Sequence, residues 1–353
     1  MGEDGRVFLR GITSRTYGLK ELRRRQLAAP RVRDDSVVVD DASVAHSADS
    51  ARSRTCWRIG PGDEPFLTQT LQVHFVELPP HSANHGHGHQ NEAAFYILEG
   101  AGYEIHDGQR YDWSAGDLVV VHNDSVHRHH NPYDRRARAI VMKAKATWMH
   151  LGLIQQGRGG PPGDEDAAAY GPRQDWSRLW SQGVERRRKV VGPADASWER
   201  TPLGRVRVLS SPLRGDVRAF SVDVFELEVP AGGRSGRRWH MADEVLYVLS
   251  GSGYSLHWEV AAEITERYHA RVATEPSRHR IKAGDTLYVP TNTVAQHFAD
   301  EGAPLRLLSG QNRLFKLLGY DNVVYLEEAP HGPAAAAGDH LEGSPVRARL
   351  VGE

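Results

Sequence analysis

Residues 84–93 read Asn-His-Gly-His-Gly-His-Gln-Asn-Glu-Ala. The three histidines alternate with two glycines, so a β-strand through this stretch would point all three imidazoles to one face of a sheet. Such a row is poorly suited to a core, because each buried imidazole needs a hydrogen-bond partner. It suits a metal site, since neutral imidazole binds iron, zinc, copper and nickel. Ten of the 19 histidines lie between His74 and His130, so we expect the chemistry in this part of the chain.

The composition narrows the class of protein. A chain of 353 residues exceeds one ordinary domain and predicts two. A net charge of −1 and a pI near 7.1 indicate no nucleic-acid partner and no anionic membrane. The single cysteine, Cys56, excludes an intrachain disulfide and favours a reducing, cytoplasmic location. No apolar run approaches the roughly 20 residues of a membrane span.

From about Phe66 onward, strand-length apolar segments are separated by Gly, Pro, Asn and Asp. This spacing predicts a mainly β chain, built as an antiparallel sandwich or barrel, with a few short helices. The predicted helices are Thr16–Ala28 and Asp175–Lys189, and an edge strand is expected at Val37–Val39. The predicted strands are Val73–Leu78, Ala93–Leu98, Gly102–His106, Asp117–His122, Ala139–Ala144, Val217–Val229, Glu244–Leu249, Gly253–Trp258, Asp285–Val289 and Arg306–Leu308.

The chain carries this β-unit twice. Residues 92–106, Glu-Ala-Ala-Phe-Tyr-Ile-Leu-Glu-Gly-Ala-Gly-Tyr-Glu-Ile-His, match residues 243–257, Asp-Glu-Val-Leu-Tyr-Val-Leu-Ser-Gly-Ser-Gly-Tyr-Ser-Leu-His. The Ala-Gly-Asp that opens residues 115–121 returns at 283–289. The expected organisation is an N-terminal helix and polar extension (1–60), a first barrel (61–150), a linker with a helix (151–204), a second barrel (205–329) and a mobile tail (330–353).

At these residues the sequence resembles a bicupin, a chain of two cupin domains. The cupin fold is a jelly-roll barrel, also called a double-stranded β-helix, and its first motif reads G-x5-H-x-H-x3–4-E-x6-G. Its second motif reads G-x5-P-x-G-x2-H-x3-N. The resemblance covers about 66–145 and 205–315, and it implies two cupin barrels in one chain.

Two alignments of the first motif are possible. With His87 and His89 as the histidine pair, three residues lead to Ala93 in the place of the acidic ligand, and six more lead to Gly100. With His85, His87 and Glu92 instead, Gly100 comes one residue too late. We prefer the first alignment on the period-two geometry of the strands.

The second motif adds His127. His122 stands at its proline place and is expected to be partly exposed. An H-x-H-x3-A motif followed by His127, His129 and Asn131 is similar to the gentisate and salicylate 1,2-dioxygenases. That resemblance implies Fe(II) on His87, His89 and His127, with O2 as co-substrate. It also implies that His129 contacts the substrate and takes part in catalysis. Mn, Ni, Zn and Cu are alternative metals.

The second copy has lost its ligands. Arg238 replaces the first histidine and Ala295 replaces the later one, whereas His240 and Glu244 remain. An arginine is a fixed cation that cannot bind a metal, and it is expected to pair with Glu244 instead. We therefore expect a second barrel without metal.

Phe95 separates this chain from the similar enzymes. They carry an arginine at this place for the substrate carboxylate, and Phe95 is expected either to line the core or to stack on the substrate. The preferred substrate is then expected to lack a carboxylate on that side. Another arginine, such as Arg128 or Arg110, is the alternative source of a cation, and Arg128 is taken as a candidate substrate-binding residue.

The favoured function is an Fe(II)-dependent dioxygenase that cleaves the ring of a hydroxylated aromatic or a related enolisable small molecule. An O2-independent cupin hydrolase, isomerase or decarboxylase, with His129 or Glu92 as proton carrier, is one alternative. A non-catalytic bicupin that binds a small molecule is the other. The resemblance and the free sheet edges favour a homo-oligomer, a dimer or tetramer.

Overall fold

The computed structural model describes residues 28–33, 70–153, 156–158, 170–179, 187–211, 214, 216–217 and 219–330, and the backbone of 54–59. Most of the predicted helix Thr16–Ala28, the predicted edge strand Val37–Val39 and the tail after Pro330 lie outside these residues. Within them, no helix has the length and apolar character needed to cross a bilayer.

The strands of the N-terminal half are short and follow one another closely. Helix α1, Lys145–His150, comes after the eleventh strand, and 3-10 turns lie at Trp176–Leu179 and Pro193–Asp195. The strands are β1 Val32–Arg33, β2 Arg54–Ile59, β3 Gln72–Leu78, β4 Ser82–Ala83, β5 His87–His89, β6 Ala93–Glu99, β7 Ala101–His106, β8 Gln109–Ser114, β9 Leu118–Val121, β10 Ser125–Asn131, β11 Ala137–Lys143, β12 Gln156–Arg158 and β13 Val190–Val191.

The C-terminal half repeats the pattern and ends with helix α2, Leu314–Leu317, and a last strand. Its strands are β14 Glu199–Thr201, β15 Gly204–Ser210, β16 Val222–Val229, β17 Arg237–His240, β18 Glu244–Ser250, β19 Ser252–Ile264, β20 Tyr268–Val272, β21 Ser277–Lys282, β22 Thr286–Val289, β23 Thr293–Ala299, β24 Leu305–Asn312 and β25 Val324–Glu327.

The strands form four antiparallel sheets, two in each barrel. In the first barrel, the order β12-β5-β10-β7-β8 faces the order β13-β9-β6-β11-β3-β2. In the second, β1-β22-β18-β24-β16-β15-β14 faces β20-β19-β23-β17-β25. The interleaved order is that of a jelly roll, so the prediction of a mainly β chain of two such barrels is confirmed.

Both faces of the β6 sheet are buried, which explains its nearly continuous apolar sequence. Phe95 and Ile97 face the interior of the first barrel, whereas Ala94 and Tyr96 belong to a second cluster. That second cluster also contains Val224 and other residues of the second barrel. The two barrels therefore pack sheet against sheet around a shared apolar core.

Several predicted elements differ in extent from the structure. The predicted strand Val217–Val229 begins at Val222, and the predicted strand Arg306–Leu308 extends to Asn312. The predicted helix Asp175–Lys189 is a 3-10 turn at Trp176–Leu179 in its described part, and the chain then joins the first barrel through β13. The predicted strand Gly253–Trp258 extends to Ile264, because a hairpin with β20 is inserted in this copy alone. The predicted domain limits stay a prediction, although β2, which lies before residue 61, pairs with β3.

The shared core predicts a cost for adding volume at Gly310 on β24. An added Cβ there would overlap the Met142 side chain of the first barrel. Gly310→Ala should lower the free energy of unfolding by about 1–3 kcal/mol, measured by chemical denaturation. Gly302→Ala is the control, since a Cβ at Gly302 meets no atom within 4 Å. Equal stability of the two variants would contradict the packing of the two barrels.

Candidate metal centre

Three histidines meet on two neighbouring strands of the first barrel. His87 and His89 lie on β5, and the antiparallel pairing places His127 of β10 directly opposite His87. Their ring centroids are 4.3 Å apart for His87 and His127, 4.9 Å for His89 and His127, and 5.5 Å for His87 and His89. One nitrogen of each ring lies within 4.8 Å of the others. The structure thus brings together the three predicted ligands.

Backbone carbonyls orient these rings. The Nδ1 of His87 lies 2.9 Å from the carbonyl oxygen of His85, and that of His89 lies 2.6 Å from the carbonyl of Asn91. A carbonyl only accepts, so each Nδ1 carries the proton and each Nε2 keeps its lone pair. Within the described residues, the buried Nε2 atoms of His89 and His127 have no hydrogen-bond partner. Convergent lone pairs of this kind fit a metal ion.

Burial holds His89 and His127 in the neutral form. Burial, with a smaller effect of the Lys143 charge, holds the pKa of His89 well below its usual range. Burial also holds the pKa of His127 well below its usual range, and the neighbouring His129 adds to the effect. Neutral imidazole is the form that binds a metal.

Glu92 points away from the histidines. Its carboxylate accepts hydrogen bonds from the backbone N–H groups of Phe220 and Ser221 and from the Ser221 hydroxyl, at 2.7–3.0 Å. Ala93 opens β6 instead and faces the barrel interior. Glu92 therefore joins the two barrels, and the alternative set His85, His87 and Glu92 is not assembled.

A buried carboxylate lies behind the predicted catalytic residue His129. The two oxygens of Glu104, on β7, lie 3.3 Å from His106 Nδ1 and 3.4 Å from His129 Nδ1. Burial raises the pKa of Glu104 and lowers that of His129 to about 3. Glu104 and His106 were not among the predicted site residues, although their alternation with Gly102 is a period-two signal.

An apolar pocket adjoins His129 inside the barrel. Phe95 lies in its wall, buried, with its ring 4.5 Å from the His129 ring. The other walls are Val76, Leu78, Ile97, Trp113, Val119, Ala137, Arg138 and Ala139. The two predicted substrate-binding residues Phe95 and His129 thus lie side by side.

Arg128, the third predicted substrate-binding residue, does not lie beside Phe95 and His129. It alternates with His127 and His129 along β10, so its side chain lies on the outer face, where Nε donates to the Asn84 carbonyl at 2.9 Å. The structure therefore places Arg128 outside the cavity, which corrects its predicted role in substrate binding. Arg110 is also outside, exposed and paired with Asp112.

His122, expected to be partly exposed, is fully buried. Its Nε2 lies 2.8 Å from the Val217 carbonyl oxygen of the second barrel, and its Nδ1 lies 3.0 Å from Lys189 Nζ. His122 therefore lies between the two barrels, where each of its ring nitrogens has a hydrogen-bond partner.

The second barrel carries a different set at the matching place. Arg238 donates to Glu244 at 2.5 Å, which confirms the predicted pairing, and Ala295 lies opposite Arg238 on β23. His240 Nε2 lies 3.5 Å from the other oxygen of Glu244. Arg238 and Glu244 thus stand at the positions of His87 and Ala93, and Ala295 stands at the position of His127.

Comparison with known proteins agrees with this fold. Residues 74–143 match the family model described as Cupin domain. A 1-hydroxy-2-naphthoate 1,2-dioxygenase of Nocardioides sp. (strain KP7) is 25% identical over 252 residues, 62% of this chain and 61% of the relative. The match therefore spans less than two thirds of that enzyme.

Solved structures share the whole architecture. A salicylate 1,2-dioxygenase from Pseudaminobacter salicylatoxidans superposes with a TM-score of 0.61 at 15% identity, over 84% of this chain and 88% of that one. A variant of that enzyme with gentisate gives 0.61 at 14% identity, over 92% and 96%. An oxalate decarboxylase variant of Bacillus subtilis gives 0.55 at 14%, over 84% and 80%. The chain therefore contains a cupin domain at residues 74–143 and has the fold of the salicylate 1,2-dioxygenases.

Proposed function

We propose that the protein is a non-heme Fe(II)-dependent dioxygenase that cleaves the ring of a hydroxylated aromatic compound. The observation that carries this proposal is a group of three histidines to which no carboxylate of the described residues belongs. Next to it, 5.2 Å from the His127 ring, the ring of His129 lines an apolar pocket. The similarity to enzymes named for salicylate and 1-hydroxy-2-naphthoate supports it.

His87, His89 and His127 would hold the iron. Three neutral ligands leave the charge of a 2+ ion uncompensated and leave coordination positions open, which suits an anionic substrate and O2. When bound, iron(II) supplies the redox chemistry by which O2 reacts with an electron-rich ring. Mn, Ni, Zn and Cu also bind imidazole, so iron is part of the proposal.

The pocket walls would position the ring and exclude water. Phe95 and Trp113 offer apolar faces, and aromatic rings pack well on such faces in offset or edge-on arrangements. An apolar pocket next to the ligands favours an aromatic substrate over a small polar one. It also argues against the O2-independent hydrolase.

His129 would hydrogen-bond the substrate. The Glu104 carboxylate near its Nδ1 favours the tautomer with the proton on Nδ1. The buried Nε2 of His129, without a partner among the described residues, then has a lone pair for a substrate hydroxyl. Glu104 is thus a positioning residue.

Two further features belong to the proposal. A cytoplasmic location is supported by the single cysteine. A homo-oligomer is supported by sheets with free edges, such as the one that ends at β20.

The first prediction is one metal ion per chain. Replacing His87, His89 or His127 by Ala should remove most of the bound metal and the O2 uptake, because each ring supplies one of three ligands. Metal analysis after anaerobic loading with Fe(II) is the measurement. The control is His81→Ala, since His81 is exposed and bonded to Asp134. Two tightly bound ions per chain would contradict the prediction.

The second prediction concerns His129. His129→Ala should retain the metal and lower kcat about 100-fold or more, the usual scale for a lost proton-handling group. His130→Ala is the matched control, because His130 lies on the outer face of the same strand, stacked on Tyr103. Equal kcat for the two variants would remove His129 from the mechanism.

The third prediction is that Glu92 stabilises the fold and takes no part in the reaction. Glu92→Gln should lower the free energy of unfolding by about 1–3 kcal/mol, because an amide nitrogen would face backbone donors. Metal content and kcat should stay near those of the exposed control, Glu99→Gln. A large loss of kcat at unchanged stability would instead support Glu92 as proton carrier.

A further inference from the structure

Lys143 is a cation inside the first barrel that the proposed function does not yet use. It ends β11, where Ala137, Ala139 and Val141 face the barrel interior and Ile140 and Met142 face the other barrel. Strand alternation continues the inward series to Lys143. Its side chain is largely covered, and burial lowers its pKa to about 7.

The register places Lys143 at the end of the barrel where the metal ligands lie. It pairs with Gln72 at the start of β3, while its neighbour Met142 pairs with Ala94 at the start of β6. β6 begins four residues after His89. The start of β6, the start of β3 and Lys143 at the end of β11 therefore lie at the end of the barrel that carries the histidines. The Lys143 charge is accordingly one of the effects that lower the pKa of His89 and of His129.

Lys143 has no acidic partner in the part of the chain that the structure describes. No hydrogen bond or ion pair of its Nζ occurs there, and the charged group that acts on it is another cation, Lys145. A covered, unpaired ammonium is unfavourable. A metal ion on the three uncharged histidines would add positive charge to the same cavity. Such a cavity favours a ligand that brings negative charge.

We propose that Lys143 is the residue that binds the carboxylate of the aryl substrate, with that acid group toward the histidine end of the barrel. This inference rests on the proposed function. It also accounts for Phe95, because the carboxylate points away from the apolar pocket and the ring lies toward Phe95. Lys143, on β11, thereby replaces the arginine that the similar enzymes carry at the place of Phe95 on β6.

Equilibrium binding under anaerobic conditions tests the proposal with the metal-loaded full chain. The probes are 1-hydroxy-2-naphthoate and 1-naphthol, which differ by the carboxylate alone, and calorimetry is the readout. Lys143→Met should weaken naphthoate binding about 30-fold or more, as for a covered charge pair that loses one partner. Binding of 1-naphthol should change less than about threefold, since no charge is involved.

Two variants complete the design. Lys143→Arg, which keeps the charge, should retain most of the naphthoate affinity, and Lys282→Met should match the wild type because Lys282 is exposed on the second barrel. Without ligand, Lys143→Met should unfold at a higher temperature, since a covered unpaired charge is removed. If Lys143→Met does not fold, Lys143→Gln takes its place.

The experiment distinguishes a failure of the Lys143 inference from a failure of the dioxygenase proposal. The inference is overturned if Lys143→Met binds naphthoate as the wild type does, or if both ligands lose affinity equally. It is also overturned if the wild type does not prefer naphthoate to 1-naphthol. Absence of O2 uptake by the wild type with a tightly bound naphthoate would count against the dioxygenase proposal alone.

Discussion

The alternation of side chains along a β-strand is the constraint on which the site depends. Because successive residues point to opposite faces, His87 and His89 reach one side of β5, and the antiparallel register brings His127 to the same side from β10. A one-residue slip of either strand would turn these rings away. The same rule sends Arg128 outward, so one strand both builds the cavity and contacts solvent.

Backbone hydrogen bonds determine which nitrogen of these rings carries the proton. Carbonyl groups at His85 and Asn91 fix the proton on Nδ1 of His87 and His89, which leaves the lone pair of each ring on Nε2. Behind His129, Glu104 acts in a similar way from β7. In the second barrel, Arg238 stands at the position of His87 and pairs with Glu244. The repeated fold thus supports an open polar site in one barrel and a closed ion pair in the other.

Much of the fold and the group of three histidines could be predicted because their signals are local. The H-x-H spacing and the repeat of residues 92–106 are read from short stretches. Glu104, His106 and Lys143 were missed because their importance depends on which strand becomes a neighbour, and that is set by long-range pairing. The partners of Glu92, one of the two alternative proton carriers, could not be predicted for the same reason, since Phe220 and Ser221 lie in the other half of the chain.

The central claim is that the protein, in this cavity, cleaves an aromatic ring and inserts both atoms of one O2 molecule into the product. The most direct test is a reaction of the iron-loaded protein with 1-hydroxy-2-naphthoate or salicylate under 18O2, followed by mass spectrometry of the products. The account predicts a ring-opened product that carries both atoms of one O2 molecule, with O2 consumed in equal amount. Recovery of unlabelled product, or turnover at an equal rate without O2, would contradict it.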